Sequence, residues 1–149
     1  MTFQLGSISS GTMRTEDLIP AFLDALDSFK LSRNERNAVR AISKKARNSH
    51  RNNYYNMPET AEQDFEELFD LLECQAPTGV YFGGHAGDGA DYGFWIDVEF
   101  ETNFDGLKVS DLAEVPKGHS GEVLHVNDHG NMTLYAYRRG RAKEIWSVV

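Results

Sequence analysis

Three side chains able to hold a metal or move a proton, His85, Asp88 and Asp91, fall within one glycine-rich run, Gly83-Gly84-His85-Ala86-Gly87-Asp88-Gly89-Ala90-Asp91. The glycines permit tight turns and let backbone amides approach an anion closely. No Lys-Ser or Lys-Thr pair follows the run and no helix is expected to open after it, so it does not match the nucleotide-binding loops. Tyr81, Tyr92 and Trp95 frame it together with Phe82 and Phe94. That composition suits a ligand site or an interface, and equally an irregular hairpin in which Asp and Gly serve turn geometry. A second polar group, His125, Asp128 and His129, is divided between a strand and an Asn-Gly turn and reads as turn chemistry. Cys74 stands alone, which excludes an internal disulfide framework and a Cys-rich zinc site. With no His near it in sequence it is expected to be a small buried apolar residue rather than a nucleophile. No catalytic residue, metal site or cofactor is assigned on these grounds.

The strongest pattern is one of charge. Between Lys30 and Arg51 eight bases stand against one acid, whereas fifteen acids stand against one base between Pro58 and Val115. At about 100° per residue, Arg33, Arg36, Arg40, Lys44, Arg47 and Arg51 fall within an arc of roughly 80° on one helix. Ala38, Val39, Ile42 and Ala46 face the other way. Glu59, Glu62, Glu66, Asp70 and Glu73 repeat nearly the same spacing on the next helix, opposite Phe65, Leu68 and Leu72. Asp97, Glu99 and Glu101 continue the acidic character along a strand. The two stripes read as solvated faces in weak ion pairs, as a phosphate-binding stripe, as an acidic imitation of a nucleic-acid backbone, or as complementary surfaces of two subunits.

These residues require elements to carry them. Thr15 is expected to cap a helix reaching about Phe29, with Pro20 tolerated near its start. Ser32 with Glu35 forms a capping box for a helix over 33–48, and Thr60 with Gln63 another for a helix reaching about Cys74. The polar stretch Asn48 to Pro58 reads as a loop. From Thr78 the period changes to two: strands are expected over 79–83, 94–101, 122–127, 132–138 and 144–149, with Asp128-His129-Gly130-Asn131 as a hairpin turn. About three N-terminal helices packed on a C-terminal, mainly antiparallel sheet make an α+β fold, read as a single domain over residues 1–149.

The chain has 149 residues, a formal charge of -8 and 40% hydrophobic residues, enough for a core and incompatible with a uniformly basic nucleic-acid binder. No apolar run is long enough to cross a bilayer, and the first ten residues do not read as a signal peptide. No membrane association is expected.

Three blocks carry a resemblance: Met13–Leu26 (MRTEDLIPAFLDAL), Tyr81–Trp95 (YFGGHAGDGADYGFW), and Val123–Tyr135 (VLHVNDHGNMTLY) with the ending Glu144–Trp146 (EIW). Together they resemble a group of short, uncharacterised bacteriophage and mobile-element proteins, and the resemblance spans most of the chain. It implies the cytoplasm of a bacterial host and an accessory role, and brings no catalytic residues. The expected function is binding of a host protein, one that handles nucleic acid or serves anti-phage defence, to inhibit or redirect it in the manner of anti-CRISPR or anti-restriction proteins. The acids of the α-helical stripe and of the strand named above would fill a basic groove. The alternatives are a nucleic-acid-binding module using the basic stripe, less favoured by the net charge, and a ligand- or metal-binding protein or enzyme at the glycine-rich loop. A homodimer in which stripes of opposite sign pair reciprocally is expected, with a monomer sterically open.

Overall fold

The structure, a computed structural model, describes residues 2–149. The chain forms two compact units, one of Gly6–Trp95 and one in which residues 2–5 join Ile96–Val149. Helices dominate the first unit and strands the second, so the class is α+β.

In the first unit, β1 (Gly6–Ser9), β2 (Val80–His85) and β3 (Asp88–Ile96) form a three-stranded sheet in the order β1-β3-β2. β1 runs antiparallel to β3, with Gly6 opposite Phe94 and Ser7 opposite Gly93. Helices α1 (Thr15–Leu26), α2 (Arg33–Arg47), α3 (Ser49–Asn52) and α4 (Pro58–Glu73) lie between β1 and β2 in sequence. The apolar stripe of α1 buries Leu18, Ile19, Phe22 and Leu26, and that of α4 buries Ala61, Leu68 and Leu72. Phe22 sits at the centre, with its ring 5.4 Å from Phe65, 5.2 Å from Phe82 and 5.7 Å from Tyr92. Helices and sheet therefore share one aromatic core, whose rings meet edge to face or tilted. α2 buries Ile42 alone among its residues, which leaves most of its surface to charge.

In the second unit β4 (Leu107–Val109) runs parallel to β5 (Gly121–Val126), and β6 (Met132–Arg138) and β7 (Arg141–Val148) extend the sheet antiparallel. Val109, Val123, Leu124, Leu134 and Trp146 are buried. The Phe3 amide donates to the Ile145 carbonyl at 2.7 Å, which ties the N-terminal residues to β7.

Several expectations are corrected. There are five helices among the described residues rather than about three, because α3 and a 3-10 turn (Tyr54–Asn56) occupy the stretch read as a loop and α5 (Phe100–Asn103) interrupts a predicted strand. Arg14 rather than Thr15 takes the N-cap position of α1, without a side-chain cap bond; the helix ends at Leu26, and Pro20 lies inside it without displacing its start. α4 starts at Pro58, whose fixed φ and missing N–H suit the first helical position. The Thr60–Gln63 capping box therefore does not form. The strand expected over 94–101 stops at Ile96, since Asp97 Oδ1 accepts the Glu99 amide at 2.9 Å and turns the chain. Val98 is left 83% exposed. β1 and β4 were not expected.

Candidate functional site

The glycine-rich run is the tip of the β2–β3 hairpin. His85 Nδ1 accepts the Gly87 amide at 3.0 Å and Asp88 Oδ1 accepts the Ala90 amide at 3.0 Å, two local turns of the Asx type or close to it. Asp91 accepts a hydrogen bond from the Ser7 hydroxyl, joining β3 to β1. The Trp95 indole donates to the Gly83 carbonyl at 3.0 Å and lies edge-on to the His85 ring, with centroids 4.6 Å apart. Tyr81 donates to the Gly84 carbonyl at 3.3 Å, and Tyr92 faces Phe22 and Phe65 in the core. His85, Asp88, Tyr81 and Trp95 thus serve the hairpin itself, and Asp91 ties it to β1. Among the described residues no three His, Cys, Asp or Glu side chains are placed to hold a metal.

The acidic stripe of α4 presents a different arrangement. Glu59, Glu62, Glu66, Asp70 and Glu73 are all exposed, and none enters an ion pair among the described residues. Asp64, on the opposite side, is the acid of α4 that turns inward. The outer face carries a shallow hollow of about 420 Å³ bordered by Gln63, Glu66, Glu67, Asp70, Leu71 and Cys74. Cys74 is exposed at its end, a correction to its expected burial: it follows the last helical residue and faces away from the Leu68 and Leu72 side. Like charges repel at i,i+4 spacing, as in Glu62, Glu66 and Asp70. Asp70 and Glu73 also lie at the C-terminal end, where the helix dipole disfavours acids, and no base stands in the last turn. The stripe costs the fold some stability.

The basic stripe is also open. Arg33, Arg36, Arg40, Lys44 and Arg47 are exposed on α2, Arg51 is exposed on α3, and none enters an ion pair among the described residues. The capping box at the start of α2 is complete: the Ser32 amide donates to Glu35 at 2.6 Å and the Glu35 amide to the Ser32 hydroxyl at 3.2 Å. Those Ser32 bonds, the backbone one foremost, hold the Glu35 carboxyl below its ordinary 4.5. Lys44, Lys45 and Arg47 stand in the last turn, where the dipole favours cations. Part of the basic stripe is therefore explained by helix stability, as is Glu59 in the first turn of α4, whereas Asp70 and Glu73 are not.

The two stripes do not face each other within the chain. The ion pair joining α2 to α4 is made on their inner edges, between Lys45 and Asp64. Asp97, Glu99 and Glu101 belong to the second unit and lie on a turn and on α5, not on a strand. Asp97 is used by its own turn, and Glu101 pairs with Lys108 at 2.9 Å. Of the acids singled out from sequence, only the five on α4 form one continuous face. His125 and His129 are likewise apart in role: His125 Nε2 lies 3.1 Å from the Ser110 carbonyl, while Asn127 accepts the His129 amide at 2.9 Å.

Among the described residues no helix is long and apolar enough to cross a membrane. Compared with protein-family models, with curated proteins and with solved structures, the chain matches none.

Proposed function

We propose that this chain is a non-enzymatic accessory protein of the bacteriophage or mobile-element kind, which docks on a protein of the bacterial host cytoplasm through the acidic face of α4 and inhibits or redirects it. The partner is a protein with a basic groove, of the sort that handles nucleic acid or acts in anti-phage defence. One observation carries this reading: five exposed, unpaired acids stand on one helix face against their mutual repulsion, and two of them, Asp70 and Glu73, stand against the helix dipole as well. A face kept at a cost to the fold is explained by what it binds. The acids follow one another by three or four residues, about 5 Å along the axis. They can therefore occupy several phosphate positions of a groove, while Leu71 and Cys74 at the hollow supply apolar contact.

The test is a pull-down from bacterial lysate with the wild-type chain and with Glu62→Lys/Glu66→Lys/Asp70→Lys. A partner held by the wild type, lost with the triple variant and displaced by added duplex DNA supports the reading. A partner held equally by both proteins overturns it, as does the absence of any specific partner.

A second reading rests on the six exposed cations of the basic stripe, five on α2 and Arg51 on α3, which would contact nucleic-acid phosphates directly. Six such contacts predict a log–log salt dependence with a slope of about -5 on duplex DNA. A gel shift at low salt decides it, and no shift at micromolar protein removes it.

A further inference from the structure

The tip of the β6–β7 hairpin breaks three local rules at once. Arg138 and Arg141 stand directly opposite each other in register, a like-charge cross-strand pair that opposes the hairpin. Between them the two-residue turn is Arg139-Gly140, with both residues in the left-handed region, at φ 50° and φ 78°. A turn of this kind ordinarily takes Asn-Gly or Asp-Gly, because a long side chain is disfavoured at positive φ. No acid offsets the three guanidiniums: none of Arg138, Arg139 and Arg141 enters an ion pair among the described residues. Asn in place of Arg139, or an uncharged residue in place of Arg138 or Arg141, would suit the hairpin better.

The same tip is held in place more firmly than an isolated turn. The Gly140 amide donates to the His119 carbonyl at 2.8 Å and the Arg139 amide to the Ser120 hydroxyl at 2.9 Å. The neighbouring segment lies so close that a Cβ on Gly140 would stand 3.2 Å from the Gly118 nitrogen. The three arginines border an open hollow of about 460 Å³, and no other residue lines it. A fixed turn backbone, three exposed guanidiniums and a hollow between them are the parts of an anion site.

We propose that Arg138, Arg139 and Arg141 form a binding site for a small oligophosphate, the phosphate chain of a pyrophosphate, triphosphate or nucleotide. Guanidinium forks match phosphate oxygens in pairs, which a lysine cannot do. Three of them around one hollow suit two or three linked phosphates better than a polymer, whose charges need a track. No aromatic ring lines the hollow to stack a base, so the phosphates rather than the nucleoside are recognised. This site lies in the second unit and does not depend on the docking role given to α4.

Calorimetry at low salt with inorganic tripolyphosphate, a nucleoside triphosphate and a short single-stranded oligonucleotide tests the proposal. Tripolyphosphate and the nucleotide are expected to bind alike. Arg139→Asn should weaken both by about tenfold while raising the melting temperature, since it relieves the positive-φ arginine. Arg139→Lys should lose affinity although the charge remains. Arg36→Gln/Arg40→Gln, on α2, should leave binding unchanged. The proposal is overturned if tripolyphosphate gives no heat at millimolar concentration, or if Arg139→Asn binds it as the wild type does. It is equally overturned if only the oligonucleotide binds, or if the α2 variant loses the ligand.

Discussion

Tyr54 donates its phenolic hydrogen to Asp64 at 2.8 Å, inside a contact where Asp64 is 7% exposed and Tyr54 2% exposed. Lys45 completes the group: its ammonium pairs with Asp64 and lies 5.7 Å from the centre of the Tyr54 ring. Asn52 extends it, donating to the Lys45 carbonyl at 3.0 Å and accepting the Tyr54 amide at 3.0 Å. Three elements, α2, the 3-10 turn and α4, are thus joined at one carboxylate. The connection fixes which face of each charged helix turns outward.

Removing that carboxylate should be costly. Asp64→Ala strands a buried phenol hydroxyl, a penalty of ~2 kcal/mol, while Lys45, partly exposed, turns to water and adds little. Tyr54→Phe should cost less, ~1 kcal/mol. Urea unfolding of the two single variants and the double variant measures their coupling, expected at ~1 kcal/mol. Additive losses would show that the bond contributes nothing beyond its separate parts.

The same phenol predicts sensitivity to alkali. Burial first, then the hydrogen bond and negative charge of Asp64, push the Tyr54 hydroxyl well above its ordinary 10.0. A raised value in the folded state means that its contribution is complete below pH 10 and is lost as pH climbs from there towards the folded value. Burial also raises Tyr55 and Tyr135, the former beside Asp17 and the latter beside Glu144 and Tyr137. Stability should therefore fall above pH 10, and Tyr54→Phe should flatten part of that fall. A variant with an unchanged alkaline slope would remove Tyr54 as a cause.

What could be read from sequence was what is local. Ser32 and Glu35 are three residues apart, and their capping box formed with both bonds. The periodicity of Leu18, Ile19, Phe22 and Leu26 placed α1 because one face of one helix carries it. Alternation failed at Asp97, where a side-chain bond to the backbone two residues on outweighs pattern. It failed again at Phe100, which opens α5 and sets its ring 5.7 Å from that of Trp146, far along the chain. β1 was hidden because Gly6–Ser9 is a short run of mostly small residues whose partner strand begins at Asp88. The two stripes were legible as spacing. Their pairing was not, since nothing local marks Asp64 as the acid that turns inward or Arg139 as a residue at positive φ.

Gly93 shows how closely β1 and β3 approach. It is buried opposite Ser7, and a Cβ there would overlap the carbonyl oxygen of Gly6 and crowd the Ser7 backbone at 2.9 Å. Backbone cannot swing aside as a flexible side chain does, so β1 must detach or shift. Gly93→Ala is expected to destabilise by ~2–3 kcal/mol, whereas Gly89→Ala, with open space around its Cβ, should cost little. Thermal unfolding of the two variants makes the comparison. Equal losses would place the constraint in chain flexibility rather than in strand approach.

The two open stripes lead to a prediction about self-association. Within one chain α2 and α4 meet through Lys45 and Asp64, which leaves Arg33, Arg36, Arg40, Lys44 and Arg47 outward on one helix and Glu59, Glu62, Glu66, Asp70 and Glu73 outward on the other. Across a two-fold axis the basic helix of one copy can lie on the acidic helix of the second, and the contact then occurs twice. A dimer of this kind depends on charge, and the screening length falls from about 10 Å at 0.1 M salt to about 3 Å at 1 M. Light scattering should accordingly find a dimer at low salt that dissociates as salt rises. Reversing one sign, as in Arg36→Glu/Arg40→Glu or in Glu62→Lys/Glu66→Lys, should give a monomer at low salt, and combining the two reversals in one chain should restore the dimer. The host partner proposed for α4 would compete with the second copy for the same acids, so its binding should release monomers. A monomer at every salt concentration would sink the dimer, and a dimer indifferent to salt would place its interface elsewhere.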